Sequence, residues 1–154
     1  MHDHPHEAAP AVRIVGLRKT YRAIPAVDHL TMTVPLGGVH GFLGPNGSGK
    51  TTTIRMLLGL LRADAGTMEL FGEPVPERLP EVIDRVGAIV EQPRFFENFS
   101  GRKNLTLLAQ GIGVPLNRVG EVLDQVGLTE RATSQFRTYS LGMKQRLAVA
   151  ATLL

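Results

Sequence analysis

Hydrophobic and polar residues follow two different periods along this chain, and the first half carries the shorter one. Residues 12–17 form a short apolar run, and in 30–34 leucine, methionine and valine alternate with two threonines. Short buried strands are also indicated at 39–43, 67–72 and 86–90, where apolar runs are bounded by glycine or proline. The first half is therefore predicted to be rich in strands.

A helical period begins directly after a glycine-rich loop. Apolar residues recur there at i, i+3, i+4 and i+7, namely at Ile54, Leu57, Leu58 and Leu61. This spacing predicts a helix from about Gly49 to Leu61 with one buried stripe.

The second half carries the helical period throughout. Residues 104–110 favour a helix, and a second clean stripe consists of Val119, Val122, Leu123 and Val126. Gly113-Val114-Pro115 marks the loop between these two helices. Ser140 is a plausible N-cap for a last helix, whose apolar positions are Leu147, Ala150, Ala151 and Leu154.

Composition narrows the class of protein. The chain has 154 residues, 43% of them hydrophobic and 20% charged, which suits one globular domain. The absence of cysteine excludes disulfides, thiolate metal sites and a cysteine nucleophile. We see no targeting segment and no apolar run long enough to span a bilayer, so a soluble, cytoplasmic protein is expected.

Neither the distribution of charge nor the first ten residues indicate a nucleic-acid site or a metal site. The net charge is +3 and the pI is 9.7, but the basic residues are scattered among acidic ones, so no direct nucleic-acid binding is expected. Alternating histidines at His2, His4 and His6 have a spacing that can chelate a metal. A solvated, disordered tail over residues 1–10 is the favoured interpretation.

The stretch GPNGSGKTTT is the strongest chemical signal. Gly44 and Gly49-Lys50-Thr51 stand at the spacing of a phosphate-binding loop between a predicted strand and a predicted helix. Its glycines let backbone N–H groups converge on phosphate, Lys50 reaches the β- and γ-phosphates, and the Thr51 hydroxyl ligates Mg²⁺. The cofactors expected are ATP and Mg²⁺. The residues assigned to ATP binding in the loop are Gly44, Pro45, Asn46, Gly47, Ser48, Gly49, Lys50, Thr51 and Thr52.

A chance match and a kinase-type glycine loop both explain this stretch less well than a phosphate-binding loop does. At the glycine, lysine and threonine frequencies of this chain, a match by chance is rare. A kinase-type glycine loop fits less closely, because its lysine lies on a later strand and not within the loop.

The order of motifs resembles the ATP-binding cassette (ABC) ATPases of membrane transporters. By that resemblance, Tyr21 upstream of the loop stacks on adenine, the alternative being a surface strand residue. The segment YSLGMKQR resembles the family's signature, in which a helix start faces the γ-phosphate of ATP on the opposing subunit. The match is partial, because Tyr139, Leu141 and Met143 depart from the family's usual residues. This assigns Ser140, Leu141, Gly142 and Met143, the alternative being an ordinary capped helix.

The loop after the predicted strand at 86–90 resembles the family's Q-loop, which contacts Mg²⁺ or the attacking water. Glu91 stands at the usual glutamine position and is the second predicted metal ligand, and Gln92, one residue later, is the alternative for the Q-loop role. Glu91 and the YSLGM segment together resemble exporters of the bacitracin- and lantibiotic-resistance type. Phe95 and Phe96 would then lie where the family contacts its membrane partner, the alternative for one of them being packing in the core between the subdomains.

The resemblance implies an α/β fold: a P-loop NTPase core with an antiparallel β-subdomain and a helical signature subdomain, truncated at its C-terminus. Residues 11–98 are assigned to the ATP-binding core and 99–154 to the helical subdomain. The family's later Asp-Glu pair and histidine have no counterpart before Leu154. Catalytic machinery is therefore incomplete, and this chain alone is expected not to turn over ATP.

The implied function is the ATP-binding subunit of an exporter. It would dimerise head to tail and drive a separate transmembrane permease from the inner face of the cell membrane. A non-transport ABC ATPase acting on DNA or ribosomes remains an alternative, as does a truncated nucleotide-binding module without turnover. The transported substrate is not readable from the sequence.

Overall fold

The computed structural model describes residues 9–90 and 94–154. The predicted histidine tail, apart from its last two residues, and the Q-loop candidates Glu91 and Gln92 lie outside the described residues. The chain forms two compact units, of which the first ends at Val86 and the second begins at Gly87. Compactness does not assign function, so the functional division between residues 98 and 99 stays a prediction.

The first unit contains a four-stranded antiparallel sheet in the order β2-β1-β3-β4. Its strands are β1 (Val12–Tyr21), β2 (Ile24–Val34), β3 (Ala65–Leu70) and β4 (Glu73–Val75). The predicted antiparallel β-subdomain is thereby present, and it includes the apolar segments 12–17, 30–34 and most of 67–72.

One face of this sheet is buried under two helices, α1 (Lys50–Leu57) and α2 (Leu79–Val82). Ile14 and Leu17 on β1 are both fully buried although they are three residues apart. The β1–β2 pairing shifts register between these two residues, so strict alternation does not hold there. Their partners in the core include Val27, Met56, Met68, Leu70 and Val82.

Two predicted strands do not form in the described part of the chain. Residues 39–43 have no ladder partner, with Val39 100% exposed and Leu43 90% exposed. Residues 86–90 likewise pair with no strand. A buried parallel strand needs neighbours that supply backbone hydrogen bonds, and no strand among the described residues supplies them here.

The helix predicted over residues 49–61 is shorter than expected, and a different face of it is buried. It ends at Leu57 because Gly59 adopts a φ of +67°. The N–H of Gly59 then donates to the carbonyl of Met56 and that of Leu60 to the carbonyl of Arg55, which is a Schellman cap. The buried side chains are Thr53 and Met56, whereas the predicted stripe residue Ile54 is exposed.

The second unit is a group of three helices, each in contact with the other two. They are α3 (Gly101–Ile112), α4 (Asn117–Gln125) and α5 (Leu141–Thr152). The predicted stripe of α4 is confirmed, with Val119, Val122 and Leu123 buried and Val126 partly buried. Within the described ranges, no helix is both long and apolar enough to cross a membrane.

Candidate functional site

The glycine loop forms a compact turn that leads directly into α1. The N–H of Ser48 donates to the carbonyl of Pro45 at 3.2 Å, and Gly47 and Gly49 adopt φ values of +84° and +86°. The first helical hydrogen bond follows at once, from the N–H of Thr53 to the carbonyl of Gly49 at 2.8 Å. Left-handed backbone is open chiefly to glycine, which explains the motif glycine at position 49 and the additional glycine at position 47.

Gly49 is also pressed against strand β2. A Cβ atom at this position would lie 2.2 Å from the carbonyl oxygen of Ala26 and 2.9 Å from Cγ2 of Val27. The first contact is with backbone, which cannot rotate away. The start of α1 is therefore held on β2 at a distance that only glycine permits.

The ammonium group of Lys50 lies over the loop. Its Nζ donates to the carbonyls of Gly44 at 2.8 Å and Pro45 at 2.7 Å, and it lies 3.5 Å from Oγ of Ser48. Among the described residues, no carboxylate forms an ion pair with Lys50. Its charge is thus available to an anion at the N-terminal end of α1, where the helix dipole favours negative charge.

A cavity of about 330 Å³ opens between the loop and β2. This volume falls in the range of small-molecule sites. One acidic side chain, Asp28, lines it, and that carboxylate faces Arg18 at 3.3 Å and His29 at 2.9 Å. The remaining lining residues are Ala26, Val27, Leu30, Phe42, Leu43, Gly44, Pro45, Ser48, Lys50 and Thr53.

The glycine cradle, the lysine and the helix start fit a polyphosphate. Thr51 is exposed and Thr52 partly buried, both in the first turn of α1. No group of three or more potential metal ligands occurs in the described ranges. Mg²⁺ ligation by Thr51 and Glu91 stays a prediction, as does the nucleotide contact of the individual loop residues.

Tyr21 lies in the same unit, at the end of β1. It pairs with Ile24 across the β1–β2 hairpin, and Ile24 is two residues from the Ala26 carbonyl that abuts Gly49. The ring is 47% exposed, and Nζ of Lys19 lies 5.7 Å from its centroid. The hairpin that carries this exposed ring continues into β2, the strand that contacts the loop. A ring in this position can stack on a flat base.

The signature segment forms the start of α5 as predicted. Oγ of Ser140 accepts a hydrogen bond from the N–H of Met143 at 3.3 Å, which makes Ser140 the N-cap. Leu141 is 65% exposed, and a Cβ on Gly142 would meet no atom within 4 Å. Contacts within the described chain therefore give no reason for a glycine at position 142.

Tyr139, which departs from the family's usual residue, is a core residue of the second unit. Its hydroxyl donates to the carbonyl of Arg131 at 2.7 Å, and its ring lies 5.8 Å from that of Phe136. Burial raises the pKa of the Tyr139 phenol. The tyrosine at this position therefore packs in the core beneath the start of α5.

Phe95 and Phe96 have different surroundings. Phe95 packs on the core of the second unit and meets the ring of Phe136 edge-on at 5.1 Å. Phe96 is 61% exposed and lies 5.2 Å from the Phe99 ring.

Sequence reasoning missed the buried Asn104 that holds the turn carrying Phe96. Its side chain accepts from the N–H of Phe96 at 2.8 Å and donates to the carbonyls of Phe96 and Ser100. An asparagine inside a predicted helix has no spacing signal, and only its low hydropathy among apolar neighbours could have indicated it.

Comparison with known proteins identifies relatives. A family model described as "ABC transporter" matches residues 27–154. The chain is 45% identical over 144 residues to the bacitracin transport ATP-binding protein BcrA of Bacillus licheniformis, covering 93% of this chain and 47% of that protein. It is 40% identical over 140 residues to the BcrA of Enterococcus faecalis, covering 90% of this chain and 46% of that protein.

Among solved structures, cbiO1 of Clostridium perfringens, part of the ABC transporter complex cbiONQ, superimposes with a TM-score of 0.81 at 23% identity. The match covers 94% of this chain and 61% of cbiO1. At that identity the likeness concerns the fold, which agrees with the predicted class. The chain spans about half the length of the curated relatives it matches.

Proposed function

Because the chain belongs to the ABC transporter family, we propose that it binds ATP with Mg²⁺ through residues 44–52. The observation that carries this proposal is the position of the Lys50 ammonium over a glycine turn at the start of α1. The charge is presented where a phosphate chain would meet both the helix dipole and the loop N–H groups. The cavity beside β2 leaves room for it.

Each residue of the site has a distinct part. Lys50 exchanges its two carbonyl contacts for phosphate oxygens, Gly49 keeps the helix start against β2, and Tyr21 stacks on the base. Mg²⁺, when bound, neutralises phosphate charge, and the Thr51 hydroxyl is the ligand this part of the chain offers.

The exposed helix start at Ser140 serves the nucleotide held by a second copy. Gly142 has free space around its Cα, which supports the close approach of another molecule rather than of this chain. The helix N-terminus there favours negative charge, as the first site does. Two copies would then associate head to tail, each contributing a loop and a signature segment.

We infer that the whole protein hydrolyses ATP and drives export through a separate membrane subunit. The similarity to two bacitracin transport ATP-binding proteins supports an exporter, and transport across a membrane requires a membrane partner. The protein would then lie at the inner face of the membrane. We propose that hydrolysis needs the whole protein, since these residues correspond to about half of the relatives' length.

Phosphate release tests this function. The whole protein should release phosphate from ATP in a Mg²⁺-dependent reaction, and Lys50→Ala should abolish it. Exposed Lys103→Ala, in α3, is the matched control and should retain the wild-type rate. Equal rates for wild type and Lys50→Ala would refute the assignment, and turnover by the 154 residues alone would refute the need for the rest of the protein.

A further inference from the structure

Asp64, the residue that precedes β3, holds the end of β1. Its Oδ2 accepts a hydrogen bond from the backbone N–H of Thr20 at 2.7 Å, and its Oδ1 accepts one from Nζ of Lys19 at 2.8 Å. Its own N–H donates to the carbonyl of Arg18 at 2.9 Å. The β1–β3 ladder ends at the pair Arg18 and Ala65, so Asp64 continues the connection past the last paired residues.

These contacts lie immediately before Tyr21. Thr20, whose N–H is held by the carboxylate, is the neighbour of Tyr21 in the chain. Lys19, whose ammonium is held by the same carboxylate, lies over the Tyr21 ring at 5.7 Å from its centroid. A cation at this distance is attracted to the face of an aromatic ring. Asp64 therefore constrains Tyr21 twice, through the backbone and through the lysine.

The arrangement is ordered but has little value for stability alone. The side chain of Lys19 is only 14% exposed, whereas that of Asp64 is 44% exposed. Ion pairs with so exposed a partner contribute little to folding, because water competes for both charges. The hydrogen bond from Lys19, followed by that from Thr20, holds the pKa of Asp64 below its usual value, so the carboxylate is charged at neutral pH.

We propose that Asp64 is a positioning residue for base binding: through Lys19 and the Thr20 backbone it fixes the Tyr21 ring in the orientation that stacks on the adenine of ATP. This inference rests on the proposed function, because it requires Tyr21 to contact the base. It adds a residue that belongs to neither the loop nor the signature. A ring that is already oriented loses less conformational freedom when the base stacks on it.

The size of the effect follows from the contact that is lost. A cation–π contact at an exposed site contributes about 0.5–1 kcal/mol, which corresponds to about a two- to fivefold change in affinity. Removing the ring itself removes base stacking, which should weaken binding by about fivefold or more. The phosphates are held elsewhere, by the loop and Lys50, and should not respond to either change.

The experiment compares two probes by calorimetric titration of the purified whole protein: ATP and inorganic tripolyphosphate, each with Mg²⁺. Asp64→Asn and Lys19→Met should each weaken ATP binding about two- to fivefold and leave tripolyphosphate binding unchanged. Glu73→Gln removes the ion pair of Glu73, on β4 of the same sheet, with Arg78, and is the matched control, expected to change neither affinity. In a Tyr21→Ala background, Asp64→Asn should have no further effect.

Four results would overturn the positioning role, three of them seen with Asp64→Asn. One is an unchanged ATP affinity in Asp64→Asn, another is an equal loss for both probes, and the third is a full effect of Asp64→Asn when Tyr21 is absent. An unchanged affinity in Tyr21→Ala would overturn it too, since there would be no stacking to position. None of these removes the loop's role, whereas failure of the wild type to bind either probe would refute the proposed function itself.

Discussion

Substituting Gly49 with alanine tests the close approach of the loop to β2. The change adds one methyl group, and two costs follow from its position. The φ of +86° is left-handed backbone, which costs a residue with a Cβ about 1–2 kcal/mol. The methyl carbon would also lie 2.2 Å from the Ala26 carbonyl oxygen, so β2 or α1 must move.

The magnitude can be built from these two parts. Overpacking of a well-packed region costs typically about 1–3 kcal/mol, and here the obstructing atom is backbone. Together with the backbone strain, Gly49→Ala should lower the free energy of unfolding of the first unit by about 2–5 kcal/mol.

Two further glycines separate the two costs. Gly47 has a φ of +84° but a Cβ there would meet nothing within 4 Å, so Gly47→Ala should show the strain alone, about 1–2 kcal/mol. Gly142, in α5, has neither feature, so Gly142→Ala should not destabilise and should raise the unfolding free energy of the second unit by up to about 1 kcal/mol.

Tyrosine fluorescence during urea unfolding can report on each unit. The chain has no tryptophan and two tyrosines, Tyr21 in the first unit and Tyr139 in the second. In a Tyr139→Phe background, the remaining emission follows the first unit. A midpoint for Gly49→Ala no lower than that for Gly47→Ala would refute a cost from close approach.

Three further predictions concern the second unit. Asn104→Ala leaves the N–H of Phe96 without its partner and should lower the unfolding free energy by about 1–3 kcal/mol in urea titrations; an unchanged midpoint would contradict this. Gly101→Ala places a Cβ 2.2 Å from the Tyr139 hydroxyl oxygen and should destabilise the unit, while adding Tyr139→Phe should recover part of the loss; no recovery would exclude the hydroxyl as the cause. Folding raises the pKa of Tyr139, so the unfolded chain loses the phenol proton first as the pH rises. The contribution of this group to the free energy of unfolding is therefore complete below about pH 10 and declines above it. Tyr139→Phe should reduce that decline, and an identical pH profile would contradict the assignment.

Residues with regular spacing were predicted well. The stripe on α4 and the Ser140 cap depend on positions close in sequence, so local patterns suffice for them. The strand over 39–43 was wrong because an apolar run indicates burial but does not supply partners. The end of α1 was missed because it depends on the backbone conformation of Gly59, which a count of apolar spacing does not include.

Contacts between distant residues could not be predicted at all. The loop motif indicated a phosphate site, but the close approach of Gly49 to the Ala26 carbonyl exists only because β2 and α1 pack together. The pairing of Asp64 with Lys19 joins residues 45 positions apart, and no motif contains either. Such contacts depend on the tertiary fold, whereas the loop can be identified from residues that are adjacent in the sequence.

Calorimetric titration of MgATP into the purified protein decides whether residues 44–52 bind the phosphates of ATP with Mg²⁺. We expect saturable binding that Lys50→Ala weakens at least tenfold, since charge-assisted hydrogen bonds contribute about 1.5–3 kcal/mol. Lys103→Ala should bind as the wild type does. Equal MgATP affinity in wild type and Lys50→Ala would show that the loop does not hold the phosphates through Lys50.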